Sequence, residues 1–348
     1  MKKILGILLA CIMVIGLAAC GSQSQTEAPA QSSEPAPAAE PAEAPAQEVF
    51  KIGIMQFGEF DALISASEGF KAGLADAGFV EGTNVVYNYL SAAADTANCP
   101  TIADTLINDG SDLIYAIATP SVAAIKEKTT DIPVIFSAVT DPVASGLIAD
   151  YNKPGANITG ASDMNPVAEQ IDLLTQLLPD AKTVAVFYCS SESNSAAQYE
   201  LAKAALEAKG LTCVQKTISA VDEAKSAVES LAGNVDAIYI PTDNTLADAM
   251  NLVSATANEN GLPTIVGEPG MVGDGAFATY GINYYELGKQ AAAMAAEVLN
   301  SQDPVGATAN MPVVYQTENL TTAINKTAAA QLGIEVPQSI LDAAEIYE

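Results

Sequence analysis

The chain contains no histidine and no tryptophan, only five cysteines, and 14 basic residues against 42 acidic ones. Without histidine there is no Ser-His-Asp triad, no imidazole metal ligand and no ordinary proton shuttle. A net charge of −28 speaks against nucleic acid and anionic lipid as partners, because both need a basic face. That charge otherwise describes a solvated acidic surface and names no ligand. A Gly-x-x-x-x-Gly-Lys-Ser/Thr loop is missing as well, so ATP hydrolysis is not expected.

What is present begins with an address. Lys2 and Lys3 precede an apolar core from Ile4 to Gly16, followed by Leu17-Ala18-Ala19-Cys20-Gly21. The core is short of the ~20 residues a spanning helix needs, and the pattern resembles a bacterial lipoprotein lipobox. The resemblance implies a signal peptide over 1–19, cleavage before Cys20, lipidation of Cys20 and an extracytoplasmic, membrane-anchored location. Residues 20–47 are almost wholly Ala, Pro, Glu, Gln and Ser after the cysteine. Such a stretch cannot bury enough apolar surface to offset ordering, and reads as a disordered tether. Cys11 falls in the leader, which leaves Cys99, Cys189 and Cys213. Their spacing matches no metal motif, and they read as free or buried thiols; no metal and no cofactor is expected.

The folded part is organised around Val235-Asp-Ala-Ile-Tyr-Ile-Pro-Thr-Asp-Asn244. Ala237 to Ile240 is short and β-branched enough for a buried parallel strand, and Thr242, Asp243 and Asn244 are N-cap residue types before a helical pattern. An earlier copy stands at Ser111-Asp-Leu-Ile-Tyr-Ala-Ile-Ala-Thr-Pro-Ser121. Each half alternates strands and helices. The first half has strands over 51–57, 84–90, 112–117, 132–136 and 157–161; the second has them over 182–188, 211–218, 236–240 and 262–266. Phe70-Lys-Ala-Gly-Leu-Ala-Asp-Ala-Gly78 also has a counterpart in Leu201-Ala-Lys-Ala-Ala-Leu-Glu-Ala-Lys-Gly210. Several matches in one order point to an internal duplication. The fold class expected is α/β, with two doubly wound parallel-sheet lobes joined by a hinge.

The segments Ala118-Thr-Pro-Ser121, Phe136-Ser-Ala-Val-Thr-Asp-Pro142, Pro154-Gly-Ala-Asn-Ile-Thr-Gly160, Ser190-Ser-Glu-Ser-Asn-Ser195, Tyr239-Ile-Pro-Thr-Asp-Asn244, Gly267-Glu-Pro-Gly-Met271 and Ala278-Thr-Tyr-Gly-Ile-Asn-Tyr-Tyr-Glu-Leu-Gly288 carry a family resemblance. As a set they resemble the substrate-binding lipoproteins of bacterial ABC importers, in the group that includes tryptophan/tyrosine-type binding proteins. The resemblance spans about Val49 to Gly333 and implies a type I periplasmic-binding-protein fold with a ligand closed between the lobes. It also implies an ABC permease and its ATPase as partners. Lobe I is expected over 48–161 and 284–310, and lobe II over 162–283 and 311–348. Crossings are expected near 160–163, 280–284 and 310. A monomer is expected.

Open α/β sheets bind ligands at the carboxyl ends of their strands. Helix N-termini there suit a carboxylate, with Thr119, Ser121, Ser190, Ser191, Asn194 and Ser195 as added donors. A ligand ammonium needs an acceptor carboxylate: Asp243 first, then Glu268 and Asp141, beside Thr140 and Asn244. Gln56 and Glu59 lie on the first strand–helix loop, and Phe57, Phe60, Tyr280 and Met271 are candidate walls. Each Ser, Thr, Asn or Asp suits plain N-capping equally well, and Phe57 and Tyr280 suit a core. The expected function is capture of a small molecule, an aromatic or large apolar amino acid, for delivery to a permease. Chemistry from Asp and Glu alone lacks any motif that sets a nucleophile beside a base, so no enzyme is expected. A nucleoside or sugar ligand and a sensory, ligand-presenting role stay open, although the lack of Trp weighs against a sugar.

Overall fold

A computed structural model describes residues 49–316 and 320–348. The signal peptide, Cys20 and the tether read from the sequence lie outside the described residues. Among the described residues two sheets form. The first contains β1 (Phe50–Gln56), β2 (Val85–Ser91), β3 (Leu113–Ile117), β4 (Val134–Ser137) and β5 (Ile158–Ser162). The second contains β6 (Thr183–Cys189), β7 (Thr212–Ile218), β8 (Ala237–Ile240), β9 (Thr264–Val266) and β10 (Ala278–Gly281). Their orders are β2-β1-β3-β4-β5 and β7-β6-β8-β9-β10, the same winding twice, with parallel pairing throughout these ten strands. The repeated order is the structural counterpart of the repeated sequence.

Three further strands complete the sheets. β11 (Val314–Tyr315) lies parallel to β5 at the edge of the first sheet. The segment 311–316, expected in the second lobe, therefore belongs with the first. Val313 is buried in the first core, and the Thr159 hydroxyl donates to the Met311 carbonyl at 2.8 Å. Val314 and Tyr315 thus still pair with the first sheet, past the crossing expected near Asn310. β12 (Thr321–Asn325) pairs antiparallel with β10, and β13 (Ala344–Tyr347) pairs parallel with β12, so the second sheet is not wholly parallel. The sequence gives no sign of these three: they are short, and β12 and β13 are only half-buried at their ends.

Helices cover both faces of each sheet, which is why the central strands are apolar on both sides. In the second lobe Ala185, Phe187, Ile238 and Ile240 enter one core, while Val184, Val186, Ala237 and Tyr239 enter the other. The repeated Ile-Tyr pair places Tyr115 and Tyr239 at equivalent buried positions. Tyr115 stacks on Phe70 with centroids 3.7 Å apart, and the Tyr239 hydroxyl donates to Gln170 Oε1 at 2.6 Å. Helix Tyr284–Leu299 follows the second sheet in sequence but packs on helix Asp61–Asp76 of the first lobe. Close approach needs glycine here: a Cβ on Gly69 would strike the Tyr285 carbonyl oxygen, and one on Gly288 the Ala66 carbonyl oxygen. Cys99 and Cys189 are buried, Cys213 is half-buried, and all three are free thiols. No helix among the described residues is long and apolar enough to cross a membrane.

Candidate ligand site between the lobes

The carboxyl ends of both sheets face one another across a cleft, and the cleft divides into two spaces. One is a narrow, largely closed pocket with a cavity volume of only about 10 Å³, room for no more than a water. Phe60, Leu63, Ala138 and Thr140 reach it from the first lobe; Asn194, Thr242, Asp243, Asn244, Glu268 and Met271 reach it from the second; Asp163 and Tyr284 come from the two crossing segments. The other is a wider groove of about 740 Å³ at the mouth, lined by Phe57, Thr119 and Pro120 on one side and by Ser191 and Asn194 on the other.

The sequence candidates therefore separate. Thr140, Asn194, Asp243, Asn244 and Glu268 meet at the cavity with the walls Phe60 and Met271, whereas Phe57, Thr119 and Ser191 meet at the groove. Seven others line neither space, Ser195 among them, whose hydroxyl is spent on Asp243 Oδ2. Gln56 is buried with its amide nitrogen on the Gly58 carbonyl at 2.8 Å. Glu59 accepts from the Tyr89 hydroxyl at 2.6 Å on an exposed rim. Asp141 caps its own turn through the Val143 and Ala144 N–H groups and takes the Tyr151 hydroxyl. The Ser190 hydroxyl donates to the Ile218 carbonyl. Tyr280 packs, half-buried, on the core around helix Val167–Leu177, the core alternative weighed for it. Ser121 is fully buried, and its Oγ has no hydrogen-bond partner.

Asp243, the first choice for an ammonium, is committed elsewhere. Its Oδ2 accepts from the Cys189 N–H at 2.7 Å and the Ser195 hydroxyl at 2.7 Å, and its Oδ1 caps helix Asn244–Asp248 through the Leu246 N–H at 2.9 Å. Glu268 likewise caps helix Pro269–Gly273 through the Gly270 and Met271 N–H groups. Buried Glu192, which the sequence reading passed over, accepts from the Asn244 and Thr245 N–H groups and both their side chains. The N-capping alternative thus accounts for Asp243 and Glu268, and these second-lobe helix ends are already covered by carboxylates of the chain itself.

Asp163 differs. It follows β5 on the first crossing, is 1% exposed, and accepts the Tyr284 hydroxyl on Oδ2 at 2.8 Å. Its Oδ1 has no hydrogen-bond partner of good geometry, although the Thr140 hydroxyl stands near the carboxyl. Burial pushes its pKa up to about 6, against the Tyr284 and Thr140 hydroxyls, which hold it down. Burial also raises Glu268 to about 7, resisted by its two N–H donors. Asp243 is pushed up by burial and by the nearby Glu192 charge, again opposed by its donors. The chain has no arginine, and no lysine lines the cavity or the groove. Several buried carboxylates without a cation are costly to keep ionised, so the site as it stands favours an incoming positive group. The sequence signal for Asp163 was its position just after a strand end, on a segment read only as a crossing. No group of acidic residues or cysteines among the described residues is arranged to hold a metal ion.

Residues 51–347 match the family model described as ABC transporter substrate binding protein. The chain belongs to the ABC transporter substrate-binding protein family. This is a family of solute-binding proteins, not of enzymes, and its members here have the type I periplasmic-binding-protein fold. A curated relative, the tyrosine-binding protein of Clostridioides difficile (strain R20291), is 37% identical over 302 residues, 86% of this chain and 85% of that one. The solved ABC domain in complex with L-Trp from Streptococcus pneumonia is 34% identical, covers 86% of this chain and all of its own, and superposes with a TM-score of 0.81. The ligand-free, open structure of a substrate-binding protein with adhesive properties from Clostridium difficile is 37% identical, over 86% and 99% of the two chains, yet superposes at only 0.67. Identity therefore does not set the order of shape. The substrate-binding protein described here is closer to the L-Trp complex, which agrees with its enclosed cavity, with Phe60 packed against the cores of both lobes, and with the Ser193 hydroxyl donating to Ser145 Oγ across the mouth at 3.0 Å.

Proposed function

We propose that the chain is the extracytoplasmic receptor of an ABC importer and that its ligand is an aromatic amino acid. The observation that carries the ligand class is Asp163: a buried carboxylate on an enclosed cavity, with one oxygen unpartnered. An ammonium placed there would complete its hydrogen bonding with a charge-assisted bond in a site of restricted water. Phe60, Leu63, Met271 and Tyr284 offer the apolar and aromatic wall that a ring needs. The names of relatives, a tyrosine-binding protein and an L-Trp complex, support the same class. The cavity is too small for such a ligand with the lobes as they stand, so entry needs the lobes to part and closure follows around the solute.

In this reading Asp163, Thr140 and Tyr284 receive the ammonium, and the ligand carboxylate faces the groove, towards the N-terminus of helix Thr119–Lys126, which has no side-chain cap. Asp243, Asn194, Asn244, Glu268 and Ser191 form the second-lobe surface, Phe57 faces the groove from the first lobe, and Gln56, Glu59, Ser121, Asp141, Ser190 and Tyr280 stand outside the contact surface. Lipidation at Cys20, a monomeric state and hand-over to a permease with its ATPase complete the proposal. A thermal-shift screen of the twenty amino acids, common nucleosides and sugars tests it. A ligand specific to the folded state at a hundredfold excess over its Kd stabilises by about 2.7 kcal/mol. Shifts with Trp, Tyr or Phe support the reading; shifts with nucleosides or sugars alone overturn the ligand class.

A further inference from the structure

The amide of Asn194 is fixed end for end. It lies at the start of helix Ser193–Ala208, is 3% exposed, and lines both the cavity and the groove. Its Nδ2 donates to Glu192 Oε2 and to the Thr242 carbonyl, both at 3.1 Å, and stands 3.3 Å from Ser195 Oγ. A carboxylate and a carbonyl only accept, so turning the amide over would set Oδ1 against both. The amide hydrogens are thereby spent inside the chain. What Asn194 offers a ligand is Oδ1, which no donor among the described residues reaches. Glu192 is itself anchored: Oε2 takes the Asn244 N–H and amide at 2.9 and 2.7 Å, and Oε1 takes the Thr245 N–H and hydroxyl at 2.8 and 2.7 Å.

Asp163 Oδ1 is another acceptor without a well-placed donor, and the two lie apart. Asp163 is held by the Tyr284 hydroxyl, beyond the end of β10, and Asn194 by the Thr242 carbonyl, beyond the end of β8. β9 runs between these strands, which sets their ends on the order of 10 Å apart. One ammonium joins acceptors no more than about 6 Å apart, two hydrogen-bond lengths. A ligand with its ammonium on Asp163 therefore meets Asn194 with a second donor, at its far end.

We propose that Asn194 Oδ1 accepts a hydrogen bond from the ring of the ligand, an indole N–H or a phenol O–H, and that Glu192 is the positioning residue that keeps Asn194 an acceptor. The site then selects tryptophan or tyrosine and discriminates against phenylalanine. The inference rests on the aromatic amino-acid reading above and narrows it to rings that carry a donor. A ring without one strands the Asn194 oxygen when the lobes close and water is excluded, and that unpaired acceptor is the source of the discrimination.

The test is titration calorimetry on the full-length chain with two pairs of ligands. L-Tyrosine is paired with L-phenylalanine, and L-tryptophan with 3-(benzothiophen-3-yl)-L-alanine, in which sulfur replaces the indole N–H. The tighter binder of tyrosine and tryptophan should exceed its donor-free counterpart by about tenfold to a hundredfold, the scale of one stranded acceptor. A donor-free counterpart that binds equally well overturns the inference and leaves the receptor reading intact. Binding of none of the four overturns both. In Asn194→Ala the members of the pair should converge, and a preference kept in that variant overturns the assignment to Asn194. Glu192→Gln can donate to an amide oxygen and should reduce the same preference, a ratio that a general loss of packing leaves alone. An unchanged ratio there overturns the positioning role. The unliganded melting temperature checks the folding of each variant, and where one does not fold the ligand pairs on the wild-type chain decide alone.

Discussion

Replacing Asp243 by alanine separates a structural carboxylate from a ligand-binding one. Asp243 is 1% exposed and holds the Cys189 N–H, the Ser195 hydroxyl and the Leu246 N–H at 2.7, 2.7 and 2.9 Å. Truncation leaves two buried backbone donors and one hydroxyl without that acceptor. Each stranded donor costs about 1–3 kcal/mol and the lost helix cap about 1 kcal/mol. Relief of the repulsion from Glu192 and of the buried charge itself returns part of this. The net expectation is a loss of about 2–4 kcal/mol, read as a lower urea midpoint at unchanged slope. Asp243→Asn retains one acceptor oxygen and should lose less. Ligand affinity, measured where both variants remain folded, should fall less than in Asp163→Asn. A wild-type urea midpoint for Asp243→Ala together with abolished binding would refute the reasoning and restore Asp243 as the ammonium anchor.

Three other outcomes are expected. Gly69→Ala and Gly288→Ala each force a methyl into a facing carbonyl between helices Asp61–Asp76 and Tyr284–Leu299, so each should destabilise by about 1–3 kcal/mol in urea unfolding; a neutral result for both would contradict the packing. Asp163 and Glu268 have folded pKa values raised to about 6 and about 7, so the folded state binds more protons than the unfolded one above their ordinary values. The ligand-free chain should therefore be most stable near pH 4 and lose stability as pH rises through 6 to 7, by roughly 3 kcal/mol at most from Asp163; a melting temperature that rises over this range would contradict it. Ammonium binding needs Asp163 ionised, so aromatic amino-acid affinity in calorimetry should increase from pH 5 to 7, and a decrease would count against the anchor.

Much of the fold is written in local pattern. Val184-Ala-Val-Phe187 and Leu113-Ile-Tyr-Ala-Ile117 are apolar on both faces because helices cover both sides of each sheet, and such runs are legible without structure. The repeat of Ile-Tyr in β3 and β8 revealed the two windings. The edges were not legible: β11 is two residues long, and β12 and β13 owe their pairing to neighbours far away in sequence. Within the site, residue type and strand-end position led to Asp243 and Glu268, and both do reach the cavity. Their chemistry was not readable, because an N-cap and a ligand anchor use the same side chain at the same position. Only the inventory of partners separates Asp243, with three donors, from Asp163, with an empty oxygen. Tyr280 went the other way, since alternation along β10 turns its ring to a core and not to the cleft.

The central claim is that the ammonium of an aromatic amino acid sits on Asp163. A crystal structure of the chain grown with L-tyrosine or L-tryptophan tests it most directly. The account predicts the ligand nitrogen within hydrogen-bonding distance of Asp163 Oδ1, about 2.7–2.9 Å for such a charge-assisted bond, and the ring against Phe60 and Met271. A ligand whose ammonium rests on Asp243 or Glu268, with Asp163 left unpaired, would contradict it.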